Sequence, residues 1–205
     1  MSISDELRLG AKDYFAETQK KDVIVLHHTV GASARSSVEG WRNGKKIATA
    51  YIVERDGTVY EVFSPESWAF HLGLKGPRGE VDKRSIGIEI ASEGPLEKQA
   101  DGSFRAFGRE FNGEVFDHGS PWRGYRHFAQ YTPAAVQAVC ELVAELLERF
   151  KIPRRTTRGH AEYSPALRDF QGVLTHCQLR ADKSDCHPGF EWEQLVERCG
   201  LELSP

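Results

Sequence analysis

Apolar residues run without a break from Val23 to Leu26 and stop at the pair His27-His28. An uninterrupted run of this length predicts a strand over residues 22–28, buried on both faces. Ile86, Ile88 and Ile90 instead alternate with Gly87 and Glu89. That period of two predicts a strand over Ser85–Ile90, with Glu89 on the face opposite the isoleucines. Residues 48–54 and 58–63 read as a hairpin, because Asp56-Gly57 supplies the positive φ angles of a tight turn. Val136, Val139, Cys140, Val143, Leu146, Leu147 and Phe150 recur at helical spacing. They predict a helix over residues 132–150, capped by Thr132 and opened by Pro133. Pro153 marks the chain's exit from it. A short helix is expected over 33–41. A last one is expected over 190–199, with Gly200 as its stop.

Two stretches resist this reading. Residues 93–131 hold Gly94, Pro95, Gly102, Gly113, Gly119 and Pro121 among many aromatics. The expectation there is a long irregular segment of the kind that forms lids or binding loops. Residues 166–182 form a second long connection. The interleaving of strands and helices predicts an α/β fold: a single domain over residues 1–205, its core at about 22–195, with a central mixed β-sheet flanked by helices.

A chain of 205 residues buries a full core without staples. The net charge of −3 argues against nucleic acid or an anionic membrane as general partner. No stretch approaches the roughly 20 apolar residues of a membrane helix, so no membrane insertion is expected. Residues 1–19 are charged and polar and do not read as a secretory leader. The expected location is cytoplasmic at synthesis, with the periplasm reached by lysis or a non-Sec route. Cys140, Cys177, Cys186 and Cys199 form no C-x-x-C pair and read as reduced thiols.

The candidate chemistry lies in scattered metal-ligand residues. His27 ends the first strand, His160 lies in Arg158-Gly159-His160-Ala161-Glu162, and Asp185-Cys186-His187-Pro188 lies near the C-terminus. Three ligands from distant segments with an open fourth position describe a catalytic zinc site. His27 and His28 point to opposite faces of their strand, so only one joins such a site. Glu89 is available as a base.

These segments resemble a known family. Residues 23–29, residues 50–58 (Ala-Tyr-Ile-Val-Glu-Arg-Asp-Gly-Thr), residues 68–73, Ser85–Ile90 and residues 159–165 follow one another as in zinc-dependent N-acetylmuramoyl-L-alanine amidases. Those are the AmpD-like enzymes, related to phage amidase lysozymes and peptidoglycan recognition proteins. The resemblance spans roughly residues 22–195 and implies an amidase/peptidoglycan-recognition-like fold.

The resemblance also implies roles. His27 and His160 match zinc ligands. The last ligand precedes a proline and is usually Asp or Cys. Here His187 holds that position, with Cys186 and then Asp185 as rivals and His176 as an outsider. Glu89 matches an acidic residue beside the reacting water. A Lys two residues before the last ligand would steady an oxyanion, and Lys183 fits that role only if the loop bulges. Trp68 and His71 match a segment lining the substrate groove. Thr49 stands where some relatives carry a catalytic Tyr.

The implied reaction is hydrolysis of the amide between N-acetylmuramic acid and L-alanine, in a peptidoglycan or muropeptide substrate, with Zn2+ as cofactor. The rival readings are a non-catalytic peptidoglycan-binding module and a zinc peptidase cutting within the stem peptide. The settings compatible with an amidase are muropeptide recycling, phage lysis and bacteriolytic delivery into a rival cell, the last with an immunity protein as partner.

Overall fold

A mixed six-stranded sheet forms the centre of the computed structural model, which describes residues 2–31, 33–75 and 79–204. The chain begins with β1 (Ile3–Ser4), β2 (Val23–His28), α1 (Ala34–Trp41), β3 (Tyr51–Val53) and β4 (Val59–Glu61). It continues through α2 (Glu80–Arg84) and β5 (Ser85–Ile90) into β6 (Pro95–Lys98), β7 (Phe104–Ala106), β8 (Arg109–Phe111), β9 (Val115–Trp122) and β10 (Tyr125–Ala129). The long helix α3 (Pro133–Phe150) follows, then β11 (Arg155–Thr157), a 3-10 turn (Pro165–Asp169) and β12 (Gly172–Thr175). The last elements are α4 (His176–Leu179), α5 (Trp192–Cys199) and β13 (Glu202–Ser204).

The central sheet has the order β1-β4-β3-β5-β2-β12. Its strands β3, β5, β2 and β12 run parallel, and β4 returns antiparallel to β3. All six residues of β2 are buried, as its unbroken apolar run requires. Ile24 and Leu26 join the main core, with Ile86, Ile88 and Ile90 of β5. Val23 and Val25 face the other way, into a smaller cluster with Leu72, Leu174 and Leu179. The apolar stripe of α3 covers the main core. Its first turn is capped by Thr132, whose hydroxyl oxygen accepts from the Ala135 N–H at 3.2 Å. The β3–β4 hairpin turns at Gly57, whose φ of 87° is open to glycine at little steric cost.

Residues 93–131 depart from the expected irregular loop. They hold a five-stranded antiparallel sheet of order β8-β7-β6-β10-β9. Three of its strands have only three or four residues, too short to show a period. Gly102, Gly108 and Gly124 sit at its turns. The connection 166–182 also departs from expectation, since it contains β12, the sixth strand of the central sheet. Its apolar core is only Val173-Leu174, below what periodicity can detect. Among the described residues, no helix is long and apolar enough to cross a membrane.

Candidate metal centre

The C-terminal ends of three adjacent parallel strands converge at one point, the usual place for a site in such a sheet. The β2–β5 register sets His27 beside Glu89. The β2–β12 register sets Thr175 beside Leu26, so the next residue, His176, arrives at the level of His27. Thr175 and Gln178 form a capping box that starts α4 at His176. The loop after α4 returns Asp185 to the same point, tied down by the Cys177 N–H donating to the Asp185 carbonyl at 2.7 Å.

His27, His176 and Asp185 are buried and form a cluster of potential metal ligands. Asp185 Oδ2 lies 3.0 Å from His27 Nδ1 and 2.9 Å from His176 Nδ1. The two Nδ1 atoms are 3.1 Å apart.

The surrounding hydrogen bonds decide where the imidazole protons sit. His176 Nε2 is 2.9 Å from the Leu72 carbonyl, which only accepts, so Nε2 carries the proton and Nδ1 a lone pair. The Ser85 hydroxyl donates to the Asp82 carbonyl and therefore accepts from His71 Nε2–H at 2.7 Å. His71 Nδ1 is then an acceptor, and His27 Nε2–H donates to it at 2.8 Å. His27 Nδ1 is left with a lone pair as well.

Three lone-pair atoms thus meet with no proton assigned between them, an arrangement that fits a divalent cation with N/O preference. Burial lowers His27 to about 4, so its imidazole is neutral and ready to ligate.

Glu89 faces this cluster from β5. Its Oε2 is shielded from solvent and accepts no hydrogen bond. Burial, and then the Asp185 charge, push its carboxyl well above the usual range. A carboxyl of that kind suits general acid–base work near neutral pH. A cleft of about 610 Å³ opens beside the cluster, bordered by His71, Leu72, His176, Arg180 and Lys183.

The geometry departs from the expected ligand set at two of its three members. His27 is in the cluster, whereas His160 and His187 are not. The His160 ring stacks on Trp192 at 4.9 Å, with Nε2 3.4 Å from the His187 carbonyl. His187 lies between Phe128 and Tyr131, with centroids at 4.6 and 4.5 Å. Both of its ring nitrogens are engaged: Nε2 donates to the Ala129 carbonyl at 3.2 Å, and Nδ1 accepts from the Gly189 N–H at 3.1 Å. It stands near His28, on the Ile24 and Leu26 side of the sheet rather than the His27 side. Cys186 is buried and free.

With Asp185 as the last acidic residue of the cluster, Lys183 falls two residues before it without any bulge, and it borders the cleft. His71 borders the cleft too, and it orients His27. Trp68 is buried against Phe15, with ring centroids 4.0 Å apart, and does not border that cleft. Thr49 is buried, and its hydroxyl donates to the Tyr51 carbonyl at 2.9 Å. Gly87 lies beneath: a Cβ there would come within 2.7 Å of Thr49 Cγ2 and 3.0 Å of His71 Nδ1, so only glycine lets His71 reach His27. The one local signal beside His176 is the capping-box form of Thr175-His176-Cys177-Gln178, which marks a helix start and does not by itself mark a ligand.

The sequence pattern of the family described as N-acetylmuramoyl-L-alanine amidase matches residues 17–188. The chain belongs to that family. It is 23% identical over 185 residues to the N-acetylmuramoyl-L-alanine amidase AmiD of Escherichia coli (strain K12), covering 86% of this chain and 52% of that protein. The chain therefore spans about half the length of the curated relative it matches. Among solved structures it is similar to E. coli AmiD in complex with anhydro-N-acetylmuramic acid-L-Ala-D-gamma-Glu-L-Lys. That likeness has a TM-score of 0.62 at 21% identity and covers 93% of this chain and 61% of the other. It is also similar to AmpDh3 from Pseudomonas aeruginosa in complex with anhydromuramic pentapeptide. There the TM-score is 0.57 at 20% identity, with 91% and 62% covered. These likenesses show the fold.

Proposed function

We propose that the chain is one catalytic unit, a zinc-dependent N-acetylmuramoyl-L-alanine amidase. It hydrolyses the amide between N-acetylmuramic acid and the L-alanine of the stem peptide in peptidoglycan or muropeptides. His27, His176 and Asp185 hold the ion. The observation that carries this reading is the meeting of three lone-pair atoms beside Glu89, whose shielded carboxylate oxygen has no partner.

Bound zinc supplies Lewis acidity, polarising a carbonyl and bringing water's acidity to near neutral pH. Glu89 takes the proton of the attacking water and returns it to the leaving amine nitrogen. Its buried setting keeps its proton affinity high enough for both transfers. The Lys183 ammonium at the cleft offsets negative charge growing on the carbonyl oxygen. His71 and the Leu72 carbonyl hold the two imidazoles in the tautomers that keep Nδ1 free. The cleft, of ordinary size for a small-molecule site, receives the sugar–peptide junction.

A non-catalytic binding module is the weaker reading. Its support was the lack of an acidic last ligand at His187, and Asp185 supplies that carboxylate. The test is incubation of the purified protein with intact sacculi and, separately, with soluble anhydro-muropeptides, followed by mass spectrometry. Release of free stem peptides beginning with L-alanine is expected. Cuts within the stem would make it a peptidase, and retention without cleavage would make it a binding module. Preference for sacculi favours lysis or delivery into a rival cell, where an immunity protein would be the partner. Preference for anhydro-muropeptides favours recycling.

A further inference from the structure

The five-stranded inserted sheet has no part in the chemistry above, yet it grips the loop that carries Asp185 on both sides. Upstream, the contact is Arg123, in the two-residue turn between β9 and β10. Its guanidinium reaches three backbone carbonyls. One Nη2–H donates to the Cys177 carbonyl at 2.9 Å, Nη1 donates to the Arg180 carbonyl at 2.9 Å, and Nη1 also donates to the Lys183 carbonyl. The first of these belongs to α4, whose final carbonyls have no partner within so short a helix. The other two belong to the loop itself. Downstream of Asp185, His187 lies between Phe128 of β10 and Tyr131, and Phe116 of β9 packs against Gly189 so closely that a Cβ there would come within 2.6 Å.

We propose that Arg123 is a positioning residue for the metal centre: the inserted sheet uses it to hold the 177–185 loop, and with it Asp185 and Lys183, in place. This rests on the reading of His27, His176 and Asp185 as metal ligands.

The loop's own backbone bonds are few. Cys177 N–H reaches the Asp185 carbonyl, Arg180 N–H the His176 carbonyl, and Lys183 N–H the Arg180 carbonyl at 3.3 Å. Without the three guanidinium contacts, nothing else among the described residues donates to the Cys177 and Lys183 carbonyls apart from solvent. Arginine suits the task because its donors are fixed in one rigid fork and it is always charged. The turn itself places Arg123 at φ 51°, a conformation sparsely populated by side chains other than glycine and asparagine. Its guanidinium lies over the Trp122 ring, with Cζ 4.8 Å from the centroid.

The test compares the full chain with Arg123→Met, which keeps an unbranched apolar stem and removes every donor, and with Arg123→Lys, which restores three donors at one point. Arg126→Ala, on the same sheet but paired only with exposed Asp117, is the control. Two quantities are measured: amide hydrogen exchange over residues 177–185, and the zinc dissociation constant by competition with a chromophoric chelator. Arg123→Met should speed exchange across this loop more than tenfold and weaken zinc by about 10–100-fold, the usual effect of losing a group that orients a ligand. Arg123→Lys should recover part of both, and Arg126→Ala should match the parent. Wild-type exchange in Arg123→Met overturns the clamp. Faster exchange with unchanged zinc affinity overturns its role in positioning Asp185. If Arg123→Met does not fold, Arg123→Gln replaces it, with the same expectations in smaller measure. A parent protein that binds no zinc overturns the metal reading, and exchange in the metal-free proteins then judges the clamp alone.

Discussion

His176 Nδ1 lies 3.1 Å from His27 Nδ1, although 149 residues separate the two in the chain. His27 is the penultimate residue of β2, His176 directly follows the parallel neighbour β12, and both turn a lone pair toward Asp185 Oδ2. The candidate metal centre is therefore a consequence of strand register, and its proposed ligands are distinguishable by substitution.

His176→Ala and Asp185→Asn should each lose bound zinc and amidase activity. His187→Ala should keep one zinc per chain. It leaves the Ala129 carbonyl and the Gly189 N–H without their buried partner, so it should lower stability by about 1–3 kcal/mol. Zinc content and urea midpoints of the three variants decide this. Zinc lost from His187→Ala and retained by His176→Ala would return the site to the set His27, His160 and His187.

Glu89→Gln should cut the rate by about 10²–10⁴ with zinc content unchanged. Because burial raises the Glu89 carboxyl, the base form appears only above the ordinary carboxylate range, so activity should rise with pH through that elevated value. A pH–rate profile measures the acidic limb. A glutamine variant within a few-fold of the parent places Glu89 outside the chemistry.

The same shift has a consequence for stability in the metal-free protein. Between the unfolded-state pKa of Glu, about 4.3, and the raised folded-state value, the folded chain keeps a proton that the unfolded chain has released. Stability attributable to this group falls as pH rises through that window. Glu89→Gln removes the penalty, so the apo variant should melt higher than the apo parent near pH 7 and no higher near pH 4. A difference in melting temperature that is the same at both pH values would contradict the assignment.

His71→Ala should weaken zinc binding by about 10–100-fold while leaving all three ligands in place, because it frees the His27 ring to rotate or change tautomer. Gly87→Ala should act in the same direction by driving a methyl group against His71 and Thr49. Chelator competition measures both, and unchanged affinity in His71→Ala would show that His27 is oriented by other contacts.

Chelation should abolish activity, and added zinc should restore it. Zinc held at a thousand times its dissociation constant should stabilise the fold by about 4 kcal/mol, provided the unfolded chain does not bind it. Thermal melts with and without chelator test this. Full activity in metal-free protein would remove the mechanism.

Much of the architecture is legible along the chain. The unbroken run of β2, the alternation in Ser85–Ile90, the Asp56-Gly57 turn and the apolar stripe of α3 are local patterns, and each element formed within a few residues of its expected bounds. The order of the motifs was enough to indicate the amidase family, which the match over residues 17–188 then established. The face of Glu89 can be read from its own neighbours, while its place beside His27 comes from the β2–β5 register. The inserted sheet and β12 were hidden, because strands of three or four residues carry too few positions to show a period.

What no local pattern contained was the choice among the histidines. His187 stands before a proline, as the resemblance asked, but folds onto the α3 side of the sheet and spends both ring nitrogens on backbone groups. His176 sits in a stretch that looked like a mere connection, and becomes a neighbour of His27 only through the pairing of Gly172–Thr175 with β2. A ligand set is a statement about which face each side chain takes and which strands lie adjacent. Those relations join residues far apart in the chain, so chain folding and packing decide them, while helix period, strand alternation and turn chemistry are settled among near neighbours.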